Sequence, residues 1–427
     1  MKRFFYSFAF CMITLQVAAE TRQQVQLELS STSFLYDRAQ NDINDLFTLD
    51  THYLIHYNNE KNFILHIDPR LRLDFKDDNR NRFQPHEAYM GFYNTKWDFR
   101  FGLQKVTWGN GALFNPNDVL NRNDLEANMI LREKLSDPMV GLAYNSAKDS
   151  ADTQIGFELY ALPLFMTTPL PQDNSRFALT GEQNTIPFTL AQSQDTPDYQ
   201  KSFGTGVGLT LQNEVWDIRG YFYHGPEHTP GFALRVNSDG ALTLQPFYYG
   251  INMLGFTTNV TQNQVTLKSA LSYKSTSANT AYPHDIQPVA NDAIPGNSLE
   301  YLFGLDYELP TPDPDLNSKI SIEYLGNTQD AEAFSNPVLL QSDVLFALTS
   351  TSAKKNGARL QTGFIKDIGS REWLGLADFS FLLFEQIRLG SQCFYTHSTS
   401  DSALSLFDNT SYFKGYLSYS WGKQGDK

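Results

Sequence analysis

Apolar and polar residues alternate along much of this chain. From Phe63 to Phe75 the odd positions are Phe63, Leu65, Ile67, Pro69, Leu71, Leu73 and Phe75; the even ones are Ile64, His66, Asp68, Arg70, Arg72 and Asp74. Successive side chains of a strand point to opposite faces, so this run predicts a strand with one apolar and one polar face. The pattern recurs. Trp97, Phe99, Phe101 and Leu103 interleave with Asp98, Arg100, Gly102 and Gln104. Ile155, Phe157 and Leu159 alternate with Gln154, Gly156 and Glu158, and Val265, Leu267, Leu271 and Tyr273 with Thr266, Lys268, Ser272 and Lys274. Ile320, Ile322 and Tyr324 alternate with Lys319, Ser321 and Glu323. A soluble sheet with one wet face alternates in the same way. The length of the runs, close to the ~9–11 residues that cross a bilayer as a tilted strand, and their recurrence favour a barrel.

Turn-forming residues separate the runs, and short and long connections take turns. The short ones are 58–62, 94–96, 212–214, 237–240, 261–264 and 354–357; the long ones are 37–46, 76–84, 108–138, 163–202, 276–297 and 327–342. Outer-membrane barrels combine short periplasmic turns with longer external loops. The expected fold is therefore all-β, a transmembrane antiparallel barrel of roughly 16–20 strands with ~18 as the central value, a size that usually encloses an aqueous channel. The stretch from Gly231 to Val260 reads as two or three strands. No repeat or linker divides the chain, so residues 20–427 are read as one barrel domain.

The first residues set the compartment. Lys2 and Arg3 precede an apolar run from Phe4 to Leu15, and Val17-Ala18-Ala19 supplies small residues before Glu20. This predicts a secretory signal peptide over 1–19, cleaved before Glu20. Cys393 is then the one cysteine left, which excludes an intramolecular disulfide. The formal net charge of −14 becomes more negative once Lys2 and Arg3 are removed, arguing against nucleic acid as a partner. With 14% aromatics and a mean hydropathy of −0.38, the composition suits a polar-lined barrel with aromatic girdles. Export and alternation together place the protein in the outer membrane of a Gram-negative bacterium. Its expected partners are outer-membrane lipid and lipopolysaccharide, the outer-membrane assembly machinery and a small hydrophilic solute.

The C-terminal run carries Phe413, Gly415, Leu417, Tyr419 and Trp421 on one face. It resembles the assembly signal of outer-membrane proteins, in which alternating hydrophobic residues end in an aromatic; here six residues, 422–427, follow Trp421. A second resemblance lies between Arg100 and Asn121. Arg100, Gly102, Gln104, Trp108, Gly109, Gly111, Phe114, Asn115, Pro116, Asp118 and Asn121 form R-x-G-x-Q-x-x-x-W-G-x-G-x-x-F-N-P-x-D-x-x-N. This is similar to a signature of poorly characterised porin-like outer-membrane barrels of proteobacteria. The resemblance implies the fold and compartment and names no substrate.

The segment from Trp108 to Pro138 is the candidate functional element. Gly109 and Gly111 allow unusual backbone angles where the strand breaks, and Asn115-Pro116 with Asp118 supplies turn chemistry. Asn123 is placed to cap a short helix with Glu126 at its third position, and Leu125, Met129 and Leu135 would give that helix an apolar side. The segment is the third long connection. The third loop of general porins folds into the lumen, and by analogy this one is expected to constrict the pore. It would carry Asp118, Asp124 and Glu126 towards lumen-facing Arg70, Arg72, Arg100 and Gln104, and opposed charges across a narrow lumen are a route to selectivity. The alternative is a stiff external loop whose Asn, Gly and Pro residues solve a folding problem. The pore-lining and constriction candidates are thus Arg70, Arg72, Arg100, Gln104, Trp108, Asn115, Asp118, Asp124 and Glu126.

Other chemistry is sparse. His52 and His56 share a strand face but lie too far apart to chelate one metal readily, and His224 and His228 flank Pro226 in a turn. Neither HExxH, CxxC nor a nucleophile elbow occurs, so no cofactor, metal or catalytic residue is expected. Cys393 reads as a lipid-facing or packed thiol. The functional expectation is a porin-like channel for passive diffusion of small hydrophilic solutes. Two alternatives stand beside it: a closed structural or adhesive barrel, and an outer-membrane barrel hydrolase.

Overall fold

The computed structural model describes residues 21–422, except 37–42, 59–61, 127–132, 147–152, 173–174, 178–187, 192–193, 195, 197–202, 237–239, 277–295, 329–341, 355–356, 370 and 399–409. The segment 1–19 expected to be a signal peptide, most of the connections 276–297 and 327–342, and the last five residues lie outside this set.

The chain begins with five long strands: β1 (Thr21–Phe34), β2 (Asp45–Asn58), β3 (Phe63–Asp74), β4 (Arg82–Tyr93) and β5 (Trp97–Gln104). Two short strands follow, β6 (Asn123–Asp124) and β7 (Glu133–Lys134). Next come β8 (Asp137–Asn145), β9 (Gln154–Leu162), β10 (Phe188–Leu190), β11 (Gly204–Gln212) and β12 (Trp216–Pro226). The middle of the chain supplies β13 (Gly231–Val236), β14 (Leu242–Phe247), β15 (Gly250–Gln262), β16 (Val265–Thr276) and β17 (Ser298–Glu308). The last six are β18 (Leu316–Asn327), β19 (Ser342–Ser352), β20 (Arg359–Asp367), β21 (Trp373–Phe384), β22 (Ile387–His397) and β23 (Tyr412–Gly422).

Eighteen strands make one antiparallel sheet in which each long strand pairs with the next, and β1 pairs with β23 from Gln24↔Gly422 to Phe34↔Tyr412. That last pairing closes the barrel and removes both edges, so the wall exposes no unpaired strand edge where no water can supply a partner. Among the described residues there is no α-helix, a 3-10 turn occupies Asp78–Arg80, and no helix is long and apolar enough to cross a membrane.

The alternation is realised as lipid-facing and lumen-facing sides. Trp97, Phe99 and Phe101 point outward and are exposed, as are Leu254, Leu267, Phe303, Phe413 and Trp421. Cys393 also lies on the outward face. Arg70, Arg72, Asp74 and Gln104 face inward and are buried or half-buried. Connections are short at one end, as at 94–96, 213–215 and 263–264, and long at the other.

One short connection belongs elsewhere. Residues 237–240 join β13 to β14 at the long-connection end, and these strands form a small separate sheet with β10 instead of entering the wall. The alternation of Gly231–Phe247 thus builds an insert, which settles the soft part of the strand count at 18.

Candidate functional site: the lumen and its inserted segment

After Gln104 the chain leaves the wall, crosses the lumen and returns at Asp137. Trp108 leads the crossing. It is 2% exposed, stacks on Tyr221 of β12 with ring centroids 4.9 Å apart, and lies edge-on to Tyr160 of β9. Its indole N–H donates to Glu158 Oε2 at 3.3 Å. Gly206 makes room on β11: a Cβ there would meet Trp108 and Leu120 at 2.8 Å. The segment then reaches β15 and β16, where Asn110 Nδ2 donates to Asn259 Oδ1 (2.7 Å), Thr258 O (3.1 Å) and Ser269 O (3.2 Å). The Ala112 N–H donates to Glu323 Oε1 of β18 at 2.8 Å. In ring order β18 lies eight strands beyond β5, so the segment spans nearly the full width of the barrel.

The motif residues hold this path together. Gly109 has φ +126°, and a Cβ there would fall 2.5 Å from Asn115 Oδ1, so the position excludes other residues on both counts. Asn115 Oδ1 accepts from the Gly111 N–H, closing the turn. Asn121 Oδ1 accepts from the Val106 N–H at 2.7 Å, and its Nδ2 donates to Gln104 O at 2.9 Å and to Asp137 Oδ2 at 3.4 Å, pinning the two ends of the excursion. Asp118 bonds Lys134 Nζ at 2.6 Å, and Lys134 also donates to Val106 O. Burial pushes the Asp118 carboxyl up and the Lys134 ammonium down, each effect opposed by the other partner's charge. Asp118 therefore pairs within the segment, not with an arginine of the wall.

Asp124 and Glu126 do meet wall arginines. Arg72 Nη1 lies 3.1 Å from Asp124 Oδ2, Arg72 Nη2 lies 3.7 Å from Glu126 Oε2, and Arg82 pairs with both carboxylates. Arg80 adds a bond to Glu126 O at 3.0 Å and an ion pair to Asp74 at 3.3 Å. Asp124 is wholly buried. Burial raises the Glu126 carboxyl, and Arg82 and Arg72 oppose that rise. Arg70 chelates Asp50 through Nε (2.9 Å) and Nη2 (2.6 Å) and reaches Glu133 through Nη1. Arg100 pairs instead with Asp98 on its own strand and makes no ion pair with the described residues of the segment. Gln104 is buried beneath it and donates to Met139 O at 2.9 Å.

The expected short helix does not start at Asn123. Asn123 and Asp124 are extended and pair with Lys134 and Glu133, so the two arms of the excursion form a ladder. Glu126, needed by a capping box to reach back to Asn123, is committed to Arg72 and Arg82. The wall outcompetes the local cap, because a buried carboxylate demands cations more strongly than a cap demands a carboxylate. Residues 127–132, including Met129, lie outside the described residues.

A second feature of the lumen is absent from the sequence reading. Inward-facing apolar residues run from strand to strand at one level: Ala270 opposite Leu302, Leu302 opposite Leu325, Leu345 opposite Ile365, Ile365 opposite Leu374, and Phe394 opposite Tyr412. Tyr412 in turn faces Phe34. This belt lines the long-connection half from β16 round to β1. Leu113, Phe114 and Leu125 of the inserted segment pack against it, together with Leu190, Phe232 and Leu244 of the small sheet. Arg122 Nη1 donates to Thr167 O at 2.8 Å, tying the segment to the next long connection.

Open space remains in the short-connection half. A cavity of about 310 Å³ lies under the segment, between β4, β5, β8 and β9, and is lined by Glu87, Tyr89, Arg100, Lys105, Glu158 and Tyr160. A second, of about 470 Å³, is lined by Glu28, Arg359, Asp378, Arg388 and Lys414. Lys105, the first residue beyond β5, has its ammonium pulled down to about 8 by burial, with Glu133 and Glu87 resisting. Lys105, Arg80, Arg82, Glu133 and Lys134 were not among the sequence candidates. The pleat marks Arg82 as inward, but its partners become visible only once the excursion is placed.

No family model matches the chain, and no curated protein does. Solved structures do. The chain is similar to Wzi, an outer-membrane protein involved in group 1 capsule assembly in Escherichia coli and described as a carbohydrate-binding β-barrel. The TM-score is 0.51 at 12% identity, covering 97% of this chain and 86% of that one. The fold is that of an outer-membrane barrel. OccAB3 of Acinetobacter baumannii (TM-score 0.49, 9% identity, 95% of this chain and 100% of that one) and OpdL of Pseudomonas aeruginosa (0.48, 10%, 95% and 99%) also match.

Proposed function

We propose that this protein resides in the Gram-negative outer membrane as a channel for small hydrophilic solutes, throttled by the segment 105–136. The observation that carries this reading is the position of the segment, anchored to β3 and β4 on one side and to β15–β18 on the other. A loop that served only the outside of the cell would have no use for a wholly buried Asp124 paired to Arg72 and Arg82. Transport then follows the polar surface of β2–β5 and the two cavities of the short-connection half. Paired cations and anions there offer hydrogen bonds to a polar solute without a strong net field, which suits a narrow conduit of modest charge preference.

A closed barrel that binds ligands at its mouth is the second reading, favoured by the apolar packing that fills the lumen beside the belt. Planar-bilayer recording of the refolded mature protein separates the two. Unitary conductance steps support the channel; silence from protein shown to be folded and inserted overturns it in favour of the closed barrel.

A further inference from the structure

Four of the chain's eight histidines, His52, His56, His66 and His86, lie on the lumen side of the adjacent strands β2, β3 and β4. A β-bulge places the last of them. Pro69 stands opposite Pro85, neither has an N–H for the ladder, and the register shifts between Asp68 and Pro69. The extra residue on β4 lets both His86 and Glu87 reach into the lumen. There the Asp68 carboxylate sits between two imidazoles: Oδ2 is 2.8 Å from His86 Nδ1 and Oδ1 is 3.5 Å from His52 Nδ1. One ligand atom from each of the three residues lies within 4.8 Å of the other two.

We propose that His52, Asp68 and His86 bind a divalent transition-metal ion of the Zn²⁺ class on the lumen wall. Two imidazoles and a carboxylate are donors such an ion accepts, and three protein ligands leave a position open for water or solute. Bonds of about 2.0–2.1 Å separate tetrahedral ligand atoms by about 3.3–3.4 Å, so closure needs shifts of no more than about 1.5 Å by side-chain rotation. Asp68 Oδ1 is buried and meets His52 Nδ1 only at 3.5 Å, which leaves this anionic acceptor weakly satisfied.

The carboxylates behind the imidazoles point to the same ligand. Each histidine that turns Nδ1 to Asp68 turns Nε2 to another carboxylate: His52 to Asp50 at 3.5 Å and His86 to Glu133 at 3.7 Å. Metal-bound histidines commonly present their second nitrogen to a carboxylate, which fixes the ring and raises its basicity. Arg70 holds both of these carboxylates, so one guanidinium orients the outer ring of the site. Because Glu133 belongs to the inserted segment, the site is complete only with the segment in place. The histidine spacing along β2 hides this arrangement, since the three ligands come from three strands.

Metal binding here does not depend on whether the barrel conducts. The test is calorimetric titration of zinc chloride into the untagged, refolded mature barrel after chelator treatment. One saturable site is expected, weakened at least about tenfold by His52→Ala, Asp68→Asn or His86→Ala and by about 10–100-fold in Asp50→Asn. His224→Ala, on the outward face, is expected to leave it unchanged. Heat-modifiable migration of each variant confirms that the barrel has folded. Absence of saturable binding to the folded wild type overturns the proposal. So does binding that survives in His52→Ala, Asp68→Asn and His86→Ala but is lost in His66→Ala, which would place the ion at the His56–His66 pair.

Discussion

The two sides of this lumen hold the same inserted segment by different means. On β3 and β4, Arg72 and Arg82 clasp Asp124 and Glu126 through ion pairs of fixed direction, and Arg80 of the turn between the two strands donates to Glu126 O. On β16–β23, Leu302, Leu345, Ile365 and Phe394 present an apolar surface to Leu113, Phe114 and Leu125. Packing is tolerant of small displacements, whereas a buried charge pair fails as soon as one member is lost. The difference suggests a division of labour. The belt seats the segment, and the arginines fix which way it lies. A single change on the charged side therefore carries more consequence than one on the apolar side.

The largest effect is expected from Arg72→Ala combined with Arg82→Ala. Stranding the Asp124 and Glu126 carboxylates costs about 3–5 kcal/mol, so the segment leaves its seat while the barrel stays closed. Limited proteolysis of the folded variant should cut within 105–136, where the wild type resists. Leu302→Ala tests the apolar side. Loss of this fully buried side chain costs about 2–5 kcal/mol, visible as a lower unfolding temperature, without freeing the segment to protease. If Leu302→Ala releases the segment and the double arginine variant does not, the division is reversed.

A smaller effect should follow Gly206→Ala, whose new methyl presses on Trp108 and Leu120; overpacking of this kind costs about 1–3 kcal/mol. Tryptophan fluorescence checks it, since displaced Trp108 should emit further to the red. The smallest is a pH effect. Lys105 titrates near 8 in place of 10.5, so while charged it opposes the fold, and its contribution to stability rises as pH climbs from about 8 to about 10.5. If the barrel conducts, its anion-to-cation permeability ratio should fall through a midpoint near 8, and Lys105→Met should abolish that step.

The wall was largely legible in the chain. Phe63–Phe75, Ile64 apart, and Trp97–Leu103 alternate because polar or small lumen residues separate their lipid-facing ones. The inward turn of 108–138 was also expected, from its place as the third long connection. The belt was not legible, for a physical reason. Where a lumen residue is itself apolar, as at Phe394 between Cys393 and Tyr395, both faces read alike and the period disappears. The helix expected at Asn123 failed because local capping was weighed without the arginines that claim Glu126. The histidine–carboxylate group was missed because His52, Asp68 and His86 meet only through the register of three strands and a bulge at two prolines.

The central claim, that segment 105–136 occupies and throttles the lumen, is tested most directly by single-channel conductance before and after deletion of residues 113–136. The account predicts that the deleted barrel, verified as folded by heat-modifiable migration, conducts several-fold more than the wild type. Equal conductance in the two would contradict it.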